Sequence, residues 1–189
     1  MALAGTGALA LGRWDRTIGV RTLSGKPKYR YRGTYFSARG EKDRFVLPAD
    51  FRKTVTESSD KRLLCLSRDT RFPCLVGYGL SRQDEIDDEI DRQEELATQR
   101  GEMFDREVAE LSSSAMVFET GFDASGRFIF PLHARILAKI SDKALFIGSG
   151  SQFQIWDPDV LLAYDTDIPR LLDAKMLIPH FAEEAGGRR

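Results

Sequence analysis

The stretch FDASGRFIFP, residues 122–131, decides how the chain folds. It joins a turn of the Asp-x-x-Gly-Arg kind to a short apolar run that ends at a proline. Asp123 is suited to accept hydrogen bonds from amides of its own turn. Gly126 can adopt the positive φ that a tight turn needs. Arg127 then leaves the turn as a planar cation suited to phosphates or guanine edges. Alone, the stretch predicts only a hairpin with an Asp–Arg pair at its base.

A related stretch, RGEKDRFVLP, occupies residues 39–48, and the chain therefore carries an internal repeat. The segments that begin at Arg44 and Arg127 share an arginine, a phenylalanine, a proline and a second arginine, which is Arg52 in one and Arg135 in the other. Two further pairs of segments continue the match: 59–66 with 141–148, and 74–78 with 154–157. Such internal similarity governs the fold prediction, because each copy is one structural unit. Repetition also turns the single arginine into a pseudo-symmetric basic pattern.

Each copy predicts the same order of elements: strand, tight turn, strand, short helix, strand and strand. Proline ends the second strand and suits the first turn of a helix. In the second copy Ile136, Leu137 and Ile140 give that helix an apolar stripe. The predicted fold class is α+β, with two tandem β-rich units forming a pseudo-symmetric, barrel-like core and an acidic helical connector between them.

The connector is marked by charge. The 189-residue chain has a formal net charge of -1, yet residues 81–110 hold 12 acids and 4 bases. Residues 1–44 hold 10 bases and 3 acids, so the chain can present a basic face despite its neutral total. Apolar residues recur at helical spacing through the connector, which predicts an amphipathic helix broken near Gly101. Most of its charge is predicted to form a solvated face.

Other residues give little sign of catalysis, metal binding or membrane insertion. Cys65 and Cys74 stand in or beside apolar runs, which is typical of reduced, part-buried thiols. His133 and His180 offer no metal-ligand spacing, and no nucleotide or nucleophile motif is present. We therefore expect neither an enzyme nor a cofactor, and a plain hairpin loop at the glycine-rich 148–151. No apolar run approaches the roughly 18 residues of a membrane span.

From about Arg32 to Tyr164 the chain resembles the MraZ family of bacterial transcriptional regulators, within the SpoVT/AbrB-like superfamily. Five segments carry the resemblance: YRGTYF at 31–36, RFVLPADFR at 44–52, CLVGY at 74–78, FDASGRFIFP at 122–131 and FQIWD at 153–157. It implies two tandem AbrB-like units within one chain. The predicted organisation is a flexible extension (1–28), repeat 1 (32–80), a helical connector (81–111), repeat 2 (115–158), and a C-terminal helix and tail (159–189).

The resemblance also implies a function. Family members assemble into rings, bind direct repeats of double-stranded DNA upstream of the division and cell-wall gene cluster, and usually repress it, which implies a protein of the cytoplasm and nucleoid. The Asp-x-x-x-Arg motif of each unit faces the DNA. Carried over, the DNA-binding residues are Arg39, Lys42, Arg44, Arg52, Asp123, Ser125, Arg127 and Arg135. Ser125 stands where the family often has lysine. In the first motif Gly40 replaces the aspartate, and Asp43 replaces the glycine.

Two alternatives and one ambiguity remain open at this stage. An AbrB-like antitoxin or protein-interaction module would use the acidic segment at 84–110 against a basic partner. An enzyme would need a deep apolar pocket with converging polar groups, which nothing in the sequence predicts. The basic stretch at 26–32 is either a DNA-reaching arm or the end of a flexible tail.

Overall fold

The computed structural model describes residues 28–113 and 116–186 of the chain. The predicted flexible extension therefore lies outside the described residues except for Lys28, and the last three residues of the predicted tail do too.

The two repeats have the same order of elements. Repeat 1 contains β1 (Thr34–Ala38), β2 (Arg44–Val46), α1 (Ala49–Ser59), β3 (Leu63–Arg68) and β4 (Leu75–Tyr78). Repeat 2 contains β5 (Val117–Gly121), β6 (Arg127–Ile129), α4 (Leu132–Leu137), β7 (Lys143–Gly148) and β8 (Phe153–Trp156).

The strands of the two repeats interleave in one antiparallel sheet. Its order is β1-β7-β8-β4-β3-β5, so β1 of repeat 1 pairs with β7 of repeat 2, and β5 of repeat 2 pairs with β3 of repeat 1. The strands β2 and β6 form a separate two-stranded ribbon. The α+β class is confirmed, whereas the assignment of each repeat to the AbrB-like type stays a prediction.

The expected barrel-like closure is not found in the described part of the chain, because the six-stranded sheet ends at β1 and at β5. Each repeat leaves the sheet after its first strand. The Val46 N–H donates to the Ser37 hydroxyl at 2.9 Å, and the Thr120 hydroxyl donates to the Ile129 carbonyl at 3.0 Å. Side chains thus bridge β1 to β2 and β5 to β6, and the backbones of β2 and β6 pair with each other instead of closing the sheet.

One hydrophobic cluster contains residues of both repeats. Phe45 and Phe128 lie directly opposite each other in the ribbon, and both are buried. Phe130 packs edge-on against each of them, with ring centroids 4.9 and 4.7 Å apart. Aromatic pairs of this kind add about 0.5–1.5 kcal/mol beyond the area they bury. The ribbon is therefore anchored by its inward face.

The connector is helical and broken where the sequence predicts. Helix α2 (Ser81–Arg100) ends at Gly101, whose φ of +68° is the left-handed conformation that glycine adopts readily, and α3 (Arg106–Ser113) follows. Ile90 and Ala97 are the buried residues of α2. The guanidinium of Arg106 on α3 links the two helices through the carboxylates of Asp91 and Glu94 on α2, and it also pairs with Glu110 within α3.

The C-terminal region contains two helices, α5 (Pro158–Ala163) and α6 (Pro169–Gly186), where the sequence predicted one. The Asp157 carboxylate caps α5 by accepting the N–H groups of Asp159 and Val160. Helix α6 covers the sheet, and the ring of Phe181 stacks on Phe36 with centroids 6.0 Å apart. Among the described residues, no helix has the length and apolar character to cross a membrane.

The two cysteines and the glycine-rich loop are structural features. Cys65 and Cys74 are both buried and both free, as predicted. Burial raises the pKa of the Cys65 thiol to about 11 and raises the pKa of Cys74 as well. The loop between Gly148 and Phe153 joins β7 to β8, which confirms the predicted hairpin.

Candidate nucleic-acid interface

The two repeated turns lie at the ends of the ribbon and close in the same way. The Gly40 N–H donates to the Arg44 carbonyl at 2.8 Å, and the Asp123 N–H donates to the Arg127 carbonyl at 3.0 Å. A further bond crosses between the repeats, because the Leu47 N–H donates to the Gly126 carbonyl at 2.8 Å. The first turn therefore forms the same closing backbone hydrogen bond as the second, although Gly40 and Asp43 differ from the motif residues of the second turn.

The outward face of the ribbon carries two arginines and two β-branched residues. Side chains alternate along a strand, so burying Phe45 and Phe128 turns their neighbours to solvent. Those neighbours are Arg44, Val46, Arg127 and Ile129, all exposed. Arg44 is opposite Ile129, and Val46 is opposite Arg127. The two arginines are thus diagonal neighbours on one face, about 7–8 Å apart at the backbone.

Asp123 supports its turn through the backbone. One carboxylate oxygen accepts the N–H groups of Ser125 and Arg127, each at 2.9 Å. The guanidinium of Arg127 is 3.9 Å from the other oxygen, at the outer limit of an ion pair. The bond from the Arg127 N–H lowers the pKa of Asp123 most, and the bond from Ser125 and the charges of Arg127 and Arg44 lower it further. The predicted Asp–Arg pair is therefore loose, and the Arg127 side chain stays exposed.

The first turn uses its carboxylate differently. Lys42 and Asp43 both have positive φ, +56° and +57°, so Asp43 adopts a left-handed conformation, as Gly126 does at the matching position of the second turn. The Asp43 carboxylate accepts from the guanidinium of Arg39 at 3.0 Å, and Asp142 holds the other end of Arg39 at 2.7 Å. Arg39 is thus clamped between two carboxylates, whereas Lys42 and Arg44 project from the turn.

The remaining predicted residues lie on the helices that follow the ribbon strands and on the second turn. Arg52 on α1 reaches across to the turn of repeat 2: its Cδ and Nη1 lie 3.2 Å from the place a Cβ on Gly126 would occupy. Arg135 is half-buried on α4, and Ser125 is exposed at the tip of the second turn. The structure therefore gathers Arg44, Arg52, Asp123 and Arg127 around the ribbon, and holds Arg39 in ion pairs beside it.

Sequence reasoning missed the apolar half of this surface. Val46 and Ile129 were assigned to strands, but their solvent exposure, 45% and 50%, was not foreseen. The sequences RFV and RFI could have predicted this exposure. Successive side chains of a strand point to opposite faces, so the neighbours of a buried phenylalanine point away from the core. The described residues contain no cluster of three or more His, Cys, Asp or Glu side chains that could hold a metal ion.

Fold and ribbon together define the class: an α+β protein of two interleaved repeats that presents a two-stranded basic ribbon. No protein-family model matches the chain. Three similar curated proteins are each named transcriptional regulator MraZ. The protein of Ruegeria pomeroyi is 32% identical over 68% of this chain and 78% of its own length. The protein of Rhodospirillum rubrum is 31% identical over 73% of this chain and 86% of its own length. The protein of Parvibaculum lavamentivorans is 28% identical over 81% of this chain and 88% of its own length. The chain belongs to the MraZ family.

Proposed function

We propose that the protein is a sequence-specific DNA-binding transcriptional regulator that uses the β2–β6 ribbon as its reading element. The observation that carries this proposal is the diagonal pair Arg44 and Arg127 on the exposed face of the ribbon. A two-stranded ribbon fits the major groove of B-DNA. Arginine there can bond a guanine edge with two donors, and apolar side chains can contact the methyl group of thymine.

The residues around the ribbon divide into two proposed roles. Arg44, Arg127 and Lys42 project from the strands and turns, so they are proposed to reach bases and phosphates. Arg52 and Arg135 lie half-buried on the flanking helices and are proposed to fix the approach to the backbone. Asp123 and Ser125 shape the second turn, and Arg39 contributes positive potential while it stays in its ion pairs.

The target and the assembly come from the family resemblance. We propose that the protein binds direct repeats in the promoter of the division and cell-wall gene cluster and represses that cluster. It is proposed to act as a ring of identical chains, at the nucleoid in the cytoplasm. Several ribbons engaging repeated sites at once would raise affinity through effective concentration, without any tight single contact. Its curated relatives are named regulators, which supports a role outside catalysis.

A binding titration tests the proposal. Fluorescence anisotropy is measured on DNA from upstream of the gene and on a scrambled duplex, for the wild type and for Arg44→Ala plus Arg127→Ala. We expect the double variant to lose on the order of 100-fold in affinity for the upstream DNA. The control, Arg68→Ala plus Arg100→Ala, removes the same charge from exposed positions outside the ribbon. Equal affinity of the ribbon variant and the wild type would refute the site.

A further inference from the structure

The loop between β3 and β4 is held in place by a buried carboxylate. Asp69 is 7% exposed, and its Oδ1 accepts the N–H groups of Arg71 and Phe72 at 2.8 and 3.2 Å. The side-chain amide of Gln154 donates to the other carboxylate oxygen at 3.4 Å, and its own oxygen accepts the indole N–H of Trp156 at 3.1 Å. A buried network whose members are bonded fixes one local arrangement. The loop therefore presents Arg71 and Phe72 from a rigid base.

The matching loop of repeat 2 has a different composition. The sequence DTRFPC joins β3 to β4, whereas the shorter SGSQ joins β7 to β8. The second loop contains neither a charged nor an aromatic residue. The cation of the first loop is therefore particular to repeat 1 and is not part of the pattern that the two repeats share.

A cleft of about 510 Å³ lies between the β3–β4 loop and the end of α3. This volume falls within the range of about 300–1,000 Å³ that is usual for small-molecule sites. Phe72 and Pro73 contribute apolar lining from the loop, and Leu111 and Met116 contribute it from the other side. Leu111 and Met116 are 62% and 51% exposed. Large apolar side chains thus reach the cleft from two parts of the chain and remain open to solvent.

Two arginines line the same cleft, Arg68 at the end of β3 and Arg71 in the loop, and both are exposed. Within residues 28–113 and 116–186 neither of them forms an ion pair. The Arg71 guanidinium lies 5.5 Å from the centre of the Phe72 ring, a cation–π contact that restrains it. The acidic residue of the described lining is Asp69, whose oxygens are bonded to loop amides and to Gln154. The cleft therefore combines apolar lining with two cations that have no carboxylate partner there.

We propose that this cleft binds a small amphiphilic anion, namely a carboxylate attached to an apolar body. A guanidinium holds a carboxylate through two parallel hydrogen bonds, and the apolar lining removes the hydrocarbon part from water. An inorganic anion would leave the apolar lining in water, and an uncharged apolar molecule would leave both arginines without a partner. No lining residue of the described chain belongs to β2, β6 or their turns, so this site is separate from the ribbon.

Nuclear magnetic resonance of the methionine methyl groups locates the ligand. The probe is octanoate, titrated into the full chain with isotope-labelled methionine methyl groups. We expect a saturable shift of the Met116 signal and no shift of the Met103 and Met176 signals, since both of these residues are exposed outside the lining. Met116→Leu assigns the signal. Acetate lacks the apolar body and n-octanol lacks the charge, so each should bind at least about ten-fold more weakly than octanoate.

Replacing the two cations tests the charged half of the site. Arg68→Ala plus Arg71→Ala should weaken octanoate binding at least about ten-fold, because it removes the charged hydrogen-bond donors. The matched control is Arg62→Ala plus Arg100→Ala, which removes the same charge from exposed positions outside the lining and should keep the wild-type affinity.

Replacing one apolar residue tests the other half. Leu111→Gln should weaken octanoate binding several-fold while acetate binding stays unchanged, because only octanoate has a hydrocarbon chain to shelter. Leu132→Gln is the matched control, since Leu132 is 66% exposed on α4 and lies outside the lining. Circular dichroism melting of every variant should match the wild type, because the substituted side chains are exposed.

The outcomes separate this inference from the proposed function. The absence of a saturable Met116 shift at millimolar octanoate, or equal shifts of Met116 and Met176, would overturn the site. Unchanged octanoate affinity in the Arg68 and Arg71 variant would overturn it as well. If that variant lost as much DNA affinity as the ribbon variant, the two arginines would belong to the DNA contact and the ligand site would be wrong. The ribbon variant, measured on DNA without octanoate, judges the DNA-binding function independently.

Discussion

Arg52 in repeat 1 packs over Gly126 in repeat 2, so the turn of one repeat is shaped by the helix of the other. A Cβ on Gly126 would lie 3.2 Å from Cδ and Nη1 of Arg52 and 2.9 Å from the Leu47 carbonyl oxygen. Gly126 also has a φ of +83°. Both the conformation and the space at this position require glycine.

Gly126→Ala is expected to lower the free energy of unfolding by about 2–4 kcal/mol, because a left-handed penalty of about 1–2 kcal/mol adds to the contact with Leu47. Urea denaturation measures it. Gly101→Ala is the control, since Gly101 has a φ of +68° and nothing within 4 Å of the added carbon. It should lose only the conformational part, and equal losses in both variants would show that Arg52 and Leu47 do not crowd the turn.

Arg127→Ala should weaken DNA binding more than Arg39→Ala. Arg127 is about half-exposed, with a single loose carboxylate neighbour, whereas Arg39 is held by Asp43 and Asp142. We expect a loss of about 1–3 kcal/mol for Arg127→Ala and a smaller loss for Arg39→Ala. The affinities are compared at several salt concentrations, where removal of a phosphate contact reduces the slope of log K against log salt by about one. A larger loss for Arg39→Ala would contradict this order.

The Asp123 carboxylate should make the stability of the second turn depend on pH. Hydrogen bonds from the Arg127 and Ser125 N–H groups lower the pKa of Asp123 in the folded chain. A depressed pKa stabilises the fold above the ordinary aspartate value near 3.9, and the contribution is lost as pH falls through the folded value. The melting temperature of wild type minus that of Asp123→Asn should be constant from about pH 8 to 5 and shrink below about pH 4. A constant difference down to pH 2 would refute it.

Tyr31→Phe should destabilise the chain by about 1–3 kcal/mol. The buried Tyr31 hydroxyl accepts the Gly79 N–H at 3.2 Å, and removing it leaves that buried donor without this partner. Thermal or urea unfolding measures the loss. Tyr29→Phe is the control, because the Tyr29 hydroxyl donates to the Glu57 carbonyl in an exposed setting and its removal should cost little. Equal losses would mean that the inner bond contributes nothing special.

Local features of the fold were predictable, since each depends on a short stretch of sequence. Gly101 broke the connector helix because glycine adopts the left-handed conformation there. The phenylalanine, arginine and proline of RFVLP and RFIFP placed both ribbon strands and the helices after them. The start of α5 could also have been predicted but was missed. Asp157 is an N-cap residue, and Pro158 after it is a favoured first residue of a helix.

The pairing of distant strands was not predictable from one sequence. The pattern of TYFSA indicates a strand but does not name a partner, and β1 pairs with β7 of the other repeat. The clamp on Arg39 was hidden for the same reason, because Asp142 is remote in sequence and arrives only through that pairing. The open edges of the sheet at β1 and β5 follow from this topology as well.

Because Thr34 pairs with Ile147, β1 can complete its pairing only after the ribosome has synthesised β7. At about 5–20 residues per second, β1 waits on the order of ten seconds before β7 has been made. During that interval the uncharged strand β1 has no partner strand within its own chain. A nascent chain that stalls before β7 therefore exposes β1 as an unpaired strand that can associate with other chains. Chaperones and proteases would act first on such truncated products.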